Sequence, residues 1–355
     1  MTRKTLGLAA LAVLAACGGD GQRSANSGQA SGRVALTGAG ATFPQPLYSK
    51  WFSDYARQTG VRINYQSIGS GGGIRQLSEG TVDFGATDSP MTDDEIAKAK
   101  GGPVLHIPTV LGAVVVTYNL PDVTQSLRLT GPVLADIFLG RIKKWNDPRI
   151  AQLNQGVSLP NTDILVVRRS DESGTTYIFT DYLSAVSPAW AQGPGKGKGV
   201  NWPVGLGAKG NEGVAGQVKQ LPGSVGYVEL AYAKQNRLAY AAIRNADGAF
   251  VVPSIESVTA AAAGAIARLG PSSDYRISVV NAPGAGAYPI SSFTWLLVYQ
   301  RQPDPTKGRQ LVDFLRWALS EGQRTAPTLD YAPLPVALQS QLRGRVDQVQ
   351  IGPTT

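Results

Sequence analysis

The chain has 355 residues, 43% of them hydrophobic and 16% charged, with a formal net charge of +8, one cysteine and one histidine. One cysteine excludes a disulfide framework, and one histidine excludes most metal sites and any histidine-based triad that does not use His106 itself, which reads as a structural residue at a strand edge. The basic residues are scattered and match no nucleic-acid-binding motif, so the positive excess points mildly to anionic partners and not to nucleic acid.

Residues 1–16 begin with Arg3 and Lys4 and continue in an apolar run from Leu6 to Ala16, too short to span a bilayer, which is the pattern of a secretory signal. Leu14-Ala15-Ala16-Cys17 closely resembles a lipobox, where a bacterial lipoprotein signal is cut and the new terminal cysteine is lipidated. Residues 17–33 are Gly-, Ser-, Asn-, Gln- and Ala-rich without an apolar period, as expected of a flexible tether between a lipidated Cys17 and a folded body. Without Arg3 and Lys4, 31 Lys and Arg stand against 25 Asp and Glu, an excess of six. Residues 34–355 are long enough for two domains of ordinary size.

Ala35 to Gly40 reads as a strand that runs through Ala41-Thr42-Phe43 into a helix, on which Leu47, Trp51 and Tyr55 recur every four residues until Gly60 caps it. Pro44 and Pro46 sit where a helix start tolerates proline. Val61 to Ser67 is a second strand, followed by Ile68-Gly69-Ser70-Gly71-Gly72-Gly73 and a helix carrying Ile74 and Leu77. Consecutive glycines let backbone N–H groups approach a ligand, although the same run also makes a plain flexible turn. Thr81 to Ala86 is a third strand, and Asp88 falls in the turn after it, ahead of a capping-box pattern at Thr92 to Glu95. Leu105 to Asn119 holds two extended runs, around Ile107 and at Val114 to Tyr118, suited to carrying the chain from one domain to another.

Leu129 to Trp145 has a helical pattern that Asn146-Asp147-Pro148 stops. The chain is organised around what comes next. Ile164 to Val167 is a buried strand, and Thr176 onward carries Phe179, Tyr182, Leu183 and Val186 at helical spacing, so the polar residues between them form a strand-to-helix turn. Ser173, Gly174 and Thr175 fall in the first helical turn, where unpaired N–H groups and the positive end of the dipole make an anion seat. Arg169 leaves the strand just ahead with a planar fork of donors, and Asp171 is near enough to orient it. An ordinary serine-capped helix beside a surface Arg–Asp pair fits the same residues. The parallel strand-to-helix starts at Thr42 and Phe43 and at Ser70 weigh against that plainer reading.

Gly193 to Val204 reads as loop. Gly205-Leu206-Gly207-Ala208-Lys209-Gly210 matches GxGxxG, but no strand precedes it and it is set aside as a chance match. Gly213 to Gln220 reads as a helix, Val225 to Glu229 as a strand and Val251 to Ala267 as an Ala-rich packing helix. Tyr288 to Tyr299 supplies a late apolar strand, covered by a helix from Arg309 to Ser320. The chain is thus expected to leave a first domain near residue 112 and return near residue 287. Strands alternating with helices predict parallel sheets flanked by helices, with ligands at the carboxyl ends of the strands.

Several long motifs occur in order: Gly38-Ala-Gly-Ala-Thr-Phe-Pro, Tyr65-Gln-Ser-Ile-Gly-Ser-Gly-Gly-Gly, Val82-Asp-Phe-Gly-Ala-Thr-Asp, Ile142-Lys-Lys-Trp, Val166-Val-Arg-Arg-Ser-Asp-Glu-Ser-Gly-Thr and Gly226-Tyr-Val-Glu. Over nearly all of the mature body they resemble the extracytoplasmic phosphate-binding proteins (PstS family) that feed the ABC-type phosphate importer. The resemblance implies an α/β, two-domain periplasmic-binding-protein fold of the type II-like, flytrap kind, with hinge strands between the lobes. Lobe I would be 34–112 plus 287–355, and lobe II 113–286. The implied phosphate ligands are Thr42, the Phe43 backbone, Ser70, Asp88, Arg169, Ser173, the Gly174 backbone and Thr175, with Asp171 bracing Arg169. The implied partners are inorganic phosphate and an ABC-type permease, with no metal, no cofactor and no turnover, and the chain is expected to be a monomer outside the cytoplasmic membrane. Glu172 departs from the family, whose turn often has Gly there, and the lipobox replaces the plain signal of some relatives.

Asp88 is expected to accept a hydrogen bond from the proton that phosphate still carries near neutral pH and that sulfate lacks. Two opposed readings remain at this stage. A secreted phosphatase-like enzyme would use Ser173 or Thr175 as nucleophile, without a visible activating base or metal cluster nearby. A surface adhesin would need only exposure and the tether.

Overall fold

A computed structural model describes residues 35–266 and 273–352. The expected signal at 1–16, the lipidation site Cys17 and the tether at 17–33 lie outside the described residues.

Eight strands form the path of the main sheet: β1 (Leu36–Gly40), β2 (Ile63–Ser67), β3 (Phe84–Thr87), β4 (Val104–Tyr118), β5 (Leu165–Arg169), β6 (Leu206–Ala208), β7 (Ser224–Glu229) and β8 (Ser291–Tyr299), in the order β2-β1-β3-β8-β4-β7-β5-β6. The two extended runs expected around Ile107 and Val114 are one strand, β4, buried along all 15 residues. It serves both lobes. Val104 to Ala113 pairs antiparallel with β8, and Val114 to Tyr118 pairs antiparallel with β7. Pro108 is tolerated inside β4 because the register slips opposite it, between Thr294 and Trp295, where the missing N–H leaves no ladder bond to lose.

In lobe I, β1 lies between parallel β2 and β3, and β8 runs antiparallel to β3. The helix α1 (Gln45–Thr59) buries Leu47, Tyr48, Trp51, Phe52 and Tyr55, and Gly60 closes it in the left-handed conformation. Tyr48, Phe52 and Tyr65 pack on one another and meet Phe314 and Trp317 through Phe52 and Tyr55. The helix α2 (Ser70–Ser78) packs its Ile74 and Leu77 inward. In lobe II, β5 is parallel to both β7 and β6. The helix α3 (Gly131–Phe138) is shorter than the pattern to Trp145 suggested, since Gly140 turns the chain at φ 70°, and Trp145 is buried through an indole bond of 2.8 Å to the Gly223 carbonyl. Two longer elements flank the lobe II sheet, α4 (Gly174–Val186) and α5 (Gly210–Gln220).

Among the described residues no strand directly precedes the GxGxxG match, as expected, but the segment itself is structured. Its centre is the strand β6, paired with β5 from Val167↔Leu206 to Arg169↔Ala208, and its last glycine opens α5, three residues before the expected start at Gly213. Three residues give no readable period, which is why the strand was missed. The Ala-rich helix also begins later than Val251, at Ile255, because Phe250 and Val251 pair as a strand with Ile243 and Arg244.

The return of the chain is pinned to lobe I. Asp274 and Tyr275 both take left-handed backbone angles, φ 47° and 56°, uncommon for such residues. Asp274 is bonded by His106 Nδ1 at 2.7 Å and by Arg345, and the Trp295 indole donates to the Tyr275 carbonyl at 2.9 Å. Because Met91 N–H donates to His106 Nε2, the ring proton sits on Nδ1 and is donated to Asp274. Burial, partly offset by Asp274, holds the His106 pKa below its ordinary value. His106 on β4 is therefore a fully buried structural tie.

Candidate functional site

Five strands end at one place. The carboxyl ends of β1, β2 and β3 deliver Thr42 and Phe43, Ser70 and Asp88 from lobe I, while β5 and β6 deliver Arg169 to Thr175 and Gly210 to Asn211 from lobe II. Each turn leads into a helix, that after β3 into the short Asp93–Ala97, and the N–H groups and positive dipole ends of α1, α2, α4 and α5 point toward the same cleft. The sequence suggested three of these four helix starts.

The lobe II side is cationic and tightly held. Arg169 has a side chain 1% exposed, and its Nε donates to Asp171 Oδ1 at 2.8 Å while Nη2 pairs with Oδ2. This leaves Nη1, which lies 3.3 Å from Thr175 Oγ1. Burial raises the Asp171 pKa, but the Arg169 bonds and charge prevail and hold it below the ordinary carboxylate range. Asp171 also accepts the Gly210 N–H at 3.1 Å, which fastens α5 to the arginine turn. Beneath the turn, Tyr227 Oη accepts the Arg169 N–H at 3.2 Å, bonds Thr176 Oγ1 at 2.7 Å and stacks on Phe179. Ser173 caps α4 by accepting the Thr176 N–H at 3.0 Å, so its hydroxyl proton remains available to donate. Gly174 and Thr175 follow as the first two residues of the helix.

The lobe I side holds the carboxylate. Asp88 is 1% exposed, accepts from Thr294 Oγ1 at 2.7 Å on Oδ1 and faces Ser70 Oγ at 3.4 Å on Oδ2. Burial pushes its pKa up from 3.8 to about 7, against the opposing pull of Thr294, the Arg169 charge and Ser70. Such a carboxyl exchanges its proton at neutral pH, so it can face an oxyanion as acceptor or as donor. Gly174 brings the two sides together, since a methyl group on it would overlap Asp88 Oδ2 and Ser70 Oγ. The structure thus gathers Thr42, Ser70, Asp88, Arg169, Ser173, Gly174 and Thr175 around one cleft, with Asp171 behind Arg169. Phe43 lies in the turn between Thr42 and α1, where its carbonyl accepts the Tyr331 hydroxyl at 2.7 Å.

Residues not foreseen from the sequence join the lobes. Asn211 N–H and Nδ2 donate to Thr42 Oγ1 at 3.2 and 2.7 Å, and Nδ2 also donates to Thr175 Oγ1 at 3.0 Å. Tyr232 Oη donates to the Thr42 carbonyl at 2.6 Å, and the Gly71 N–H donates to the Glu172 carbonyl at 3.0 Å. Lys198 pairs with Glu95 across the cleft. Glu172 also places its carboxylate 3.8 Å from Arg75, but both side chains are more than half exposed and the pair contributes little. Asn211 was legible only as the residue after the dismissed glycine motif. Among the described residues no group of His, Cys, Asp or Glu is arranged to hold a metal ion, and no helix is long and apolar enough to cross a membrane.

Comparison with known proteins agrees with this architecture. A family model described as a PBP superfamily domain matches residues 25–322. The chain is 48% identical over 310 residues to the phosphate-binding protein PstS of Xylella fastidiosa strain Temecula1, covering 87% of this chain and 84% of that one. It is 49% identical over 301 residues to the PstS of Pasteurella multocida, covering 84% and 86%. A high-affinity periplasmic phosphate-binding protein solved with phosphate bound superposes with a TM-score of 0.69 at 23% identity, covering 88% of this chain and 93% of that one.

Proposed function

The chain belongs to the PstS phosphate-binding proteins of the PBP superfamily, and from that membership and the geometry of its cleft we propose that it binds one inorganic phosphate outside the cytoplasmic membrane and delivers it to an ABC-type phosphate permease. The observation that carries this reading is geometric: a braced arginine and a buried carboxyl, Asp88, held by Thr294 and Ser70, meet in one cleft, and burial pushes that carboxyl's pKa upward. Donors alone would suit any oxyanion, whereas the added proton-exchanging acceptor suits an oxyanion that is itself protonated.

The ligands are Thr42, the Phe43 backbone, Ser70, Asp88, Arg169, Ser173, the Gly174 backbone and Thr175. Arg169 supplies charge through Nη1, the first turn of α4 supplies N–H groups, and Asp88 meets the phosphate proton. Sulfate would leave Asp88 facing a second anion without a shared proton, and buried polar mismatches of this kind reject a ligand by roughly 10⁴ to 10⁵. Lobe I is taken as 34–112 plus 287–355 and lobe II as 113–286, with closure about the crossing where β4 passes from β8 to β7, supported by the handover at Ala113 and Val114. The protein acts as a monomer and turns nothing over. Phosphate titration with small-angle scattering tests binding and closure together, and a phosphate-ester assay on the same sample tests turnover. Compaction on saturation without ester hydrolysis is expected, and hydrolysis at enzymatic rates would replace this reading with the phosphatase one.

Cys17 carries the lipid anchor, on the strength of Leu14-Ala15-Ala16-Cys17 and the tether composition that follows. Cys17→Ser is expected to release a folded, phosphate-competent protein from membranes. Retention of that variant in the membrane fraction would refute the anchor.

A further inference from the structure

We propose that Asn211 is a positioning residue that forces two hydroxyls, one from each lobe, to act as pure donors to the bound anion. This rests on the phosphate reading of the cleft and adds to it a residue outside the ligand set. The orientation of the Asn211 amide is fixed independently of the ligand, because its Oδ1 accepts the Glu229 backbone N–H at 2.9 Å and a backbone N–H can only donate. Nδ2 therefore faces the cleft with two protons, one directed to Thr42 Oγ1 at 2.7 Å and one to Thr175 Oγ1 at 3.0 Å.

Counting lone pairs completes the argument. Thr42 Oγ1 also accepts the Asn211 backbone N–H at 3.2 Å, and Thr175 Oγ1 also accepts from Arg169 Nη1 at 3.3 Å. Each hydroxyl oxygen thus takes two N–H donors, which occupies both its lone pairs and leaves its own proton as the only group to be placed. Both threonines are buried, so that proton has the cleft ligand as its acceptor. A ligand that presents N–H or O–H groups at these two positions finds no acceptor there, and an oxyanion finds two aligned donors. Because Thr42 belongs to lobe I and Asn211 to lobe II, the Thr42 half of this arrangement forms only when the lobes meet, which ties the orientation of one ligand to closure.

The test is a mutant cycle read by phosphate titration on the folded chain. Asn211→Ala is expected to weaken phosphate binding at least tenfold, and to cost less than threefold when Thr42→Val and Thr175→Val are both already present, because both hydroxyls it orients are gone. Equal cost in both backgrounds, or a change below threefold in the parent, would overturn the proposal. Asn211→Asp serves as a second variant, since it keeps an oxygen for the Glu229 N–H while replacing the donor with an acceptor. Relative to the parent at the same pH, its phosphate affinity is expected to fall at least a hundredfold at pH 8 and far less at pH 5, where the new carboxyl gains a proton, whereas an equal loss at both pH values would contradict the orienting role. A parent chain that fails to bind phosphate sinks the phosphate reading, and normal binding by the parent with an indifferent Asn211→Ala sinks only this inference.

Discussion

The two sides of the cleft are built from the same element, a strand that ends in a polar turn, yet they carry opposite charge. On the lobe II side Arg169 is bonded by Asp171, backed by Tyr227 and set beside the start of α4. On the lobe I side Asp88 is tied to Thr294 and Ser70, and among the described residues no cation forms an ion pair with it. The first arrangement attracts any oxyanion. The second, once ionised, opposes an oxyanion that brings no proton. The proposed ligand roles would assign affinity and selectivity to different lobes, and a substitution on each side should then alter one without equally altering the other.

The largest expected effect breaks the attractive side. Arg169→Ala removes the charged donor and leaves Asp171 buried with its principal partner gone, so phosphate binding should weaken by up to about 5 kcal/mol. The loss should apply to phosphate and its close analogues alike. Titration of the variant giving less than a tenfold change would mean that Arg169 is not a ligand.

The next effect belongs to the selective side and appears without ligand. Raising the Asp88 pKa from 3.8 to about 7 means that the native state keeps a proton which the unfolded chain gives up, so the stability of the ligand-free protein should fall as pH rises through that window and level off above it. At about 1.4 kcal/mol per unit the fall amounts to about 4 kcal/mol. Asp88→Asn should remove its share of the slope in urea unfolding measured from pH 4 to pH 8. An unchanged slope would show that Asp88 is ionised throughout.

The smallest effect lies at the joint between the sides. Tyr331 Oη lies 2.7 Å from the Phe43 carbonyl and 3.0 Å from Glu229 Oε2, and it has one proton for two neighbours of which the carbonyl can only accept. That proton is shared between the Phe43 carbonyl and Glu229 Oε2, which also accepts the Ala231 N–H at 2.8 Å. Burial, the largest influence, pushes the Glu229 pKa well above 4.5, against the Ala231 N–H and the Tyr331 bond and with the nearby Asp330 charge. Glu229→Gln should therefore change stability by less than about 1 kcal/mol near pH 6 and flatten the decline that the wild type shows as pH rises beyond 4.5. A loss of several kcal/mol at pH 6 would mean that the native side chain is charged.

The attractive side was also the easier one to read from sequence. Val166 to Thr176 holds strand, arginine, serine cap and helix within a dozen residues, so local periodicity and turn chemistry locate it. Ser70 and Asp88 were legible as turn positions, but the bonds from Thr294, more than 200 residues away, depend on strand order that no local pattern encodes. Asn211 was missed because the strand before it, Leu206–Ala208, is too short to show a period and is stabilised by pairing with Arg169's own strand. The length of β4 was obscured for a different reason. Pro108 and Gly112 look like breaks, and only the bulge opposite Pro108 lets one strand pass through both lobes.

The central claim is that the arginine side binds and the aspartate side discriminates, and the most direct test is calorimetry of the mature body with phosphate and with sulfate, for the wild type and for Asp88→Asn. The wild type should bind phosphate and give no binding heat with millimolar sulfate, while Asp88→Asn should lose part of that discrimination. Wild-type protein binding sulfate comparably to phosphate, or Asp88→Asn leaving both affinities unchanged, would contradict the assignment of Asp88 to the site.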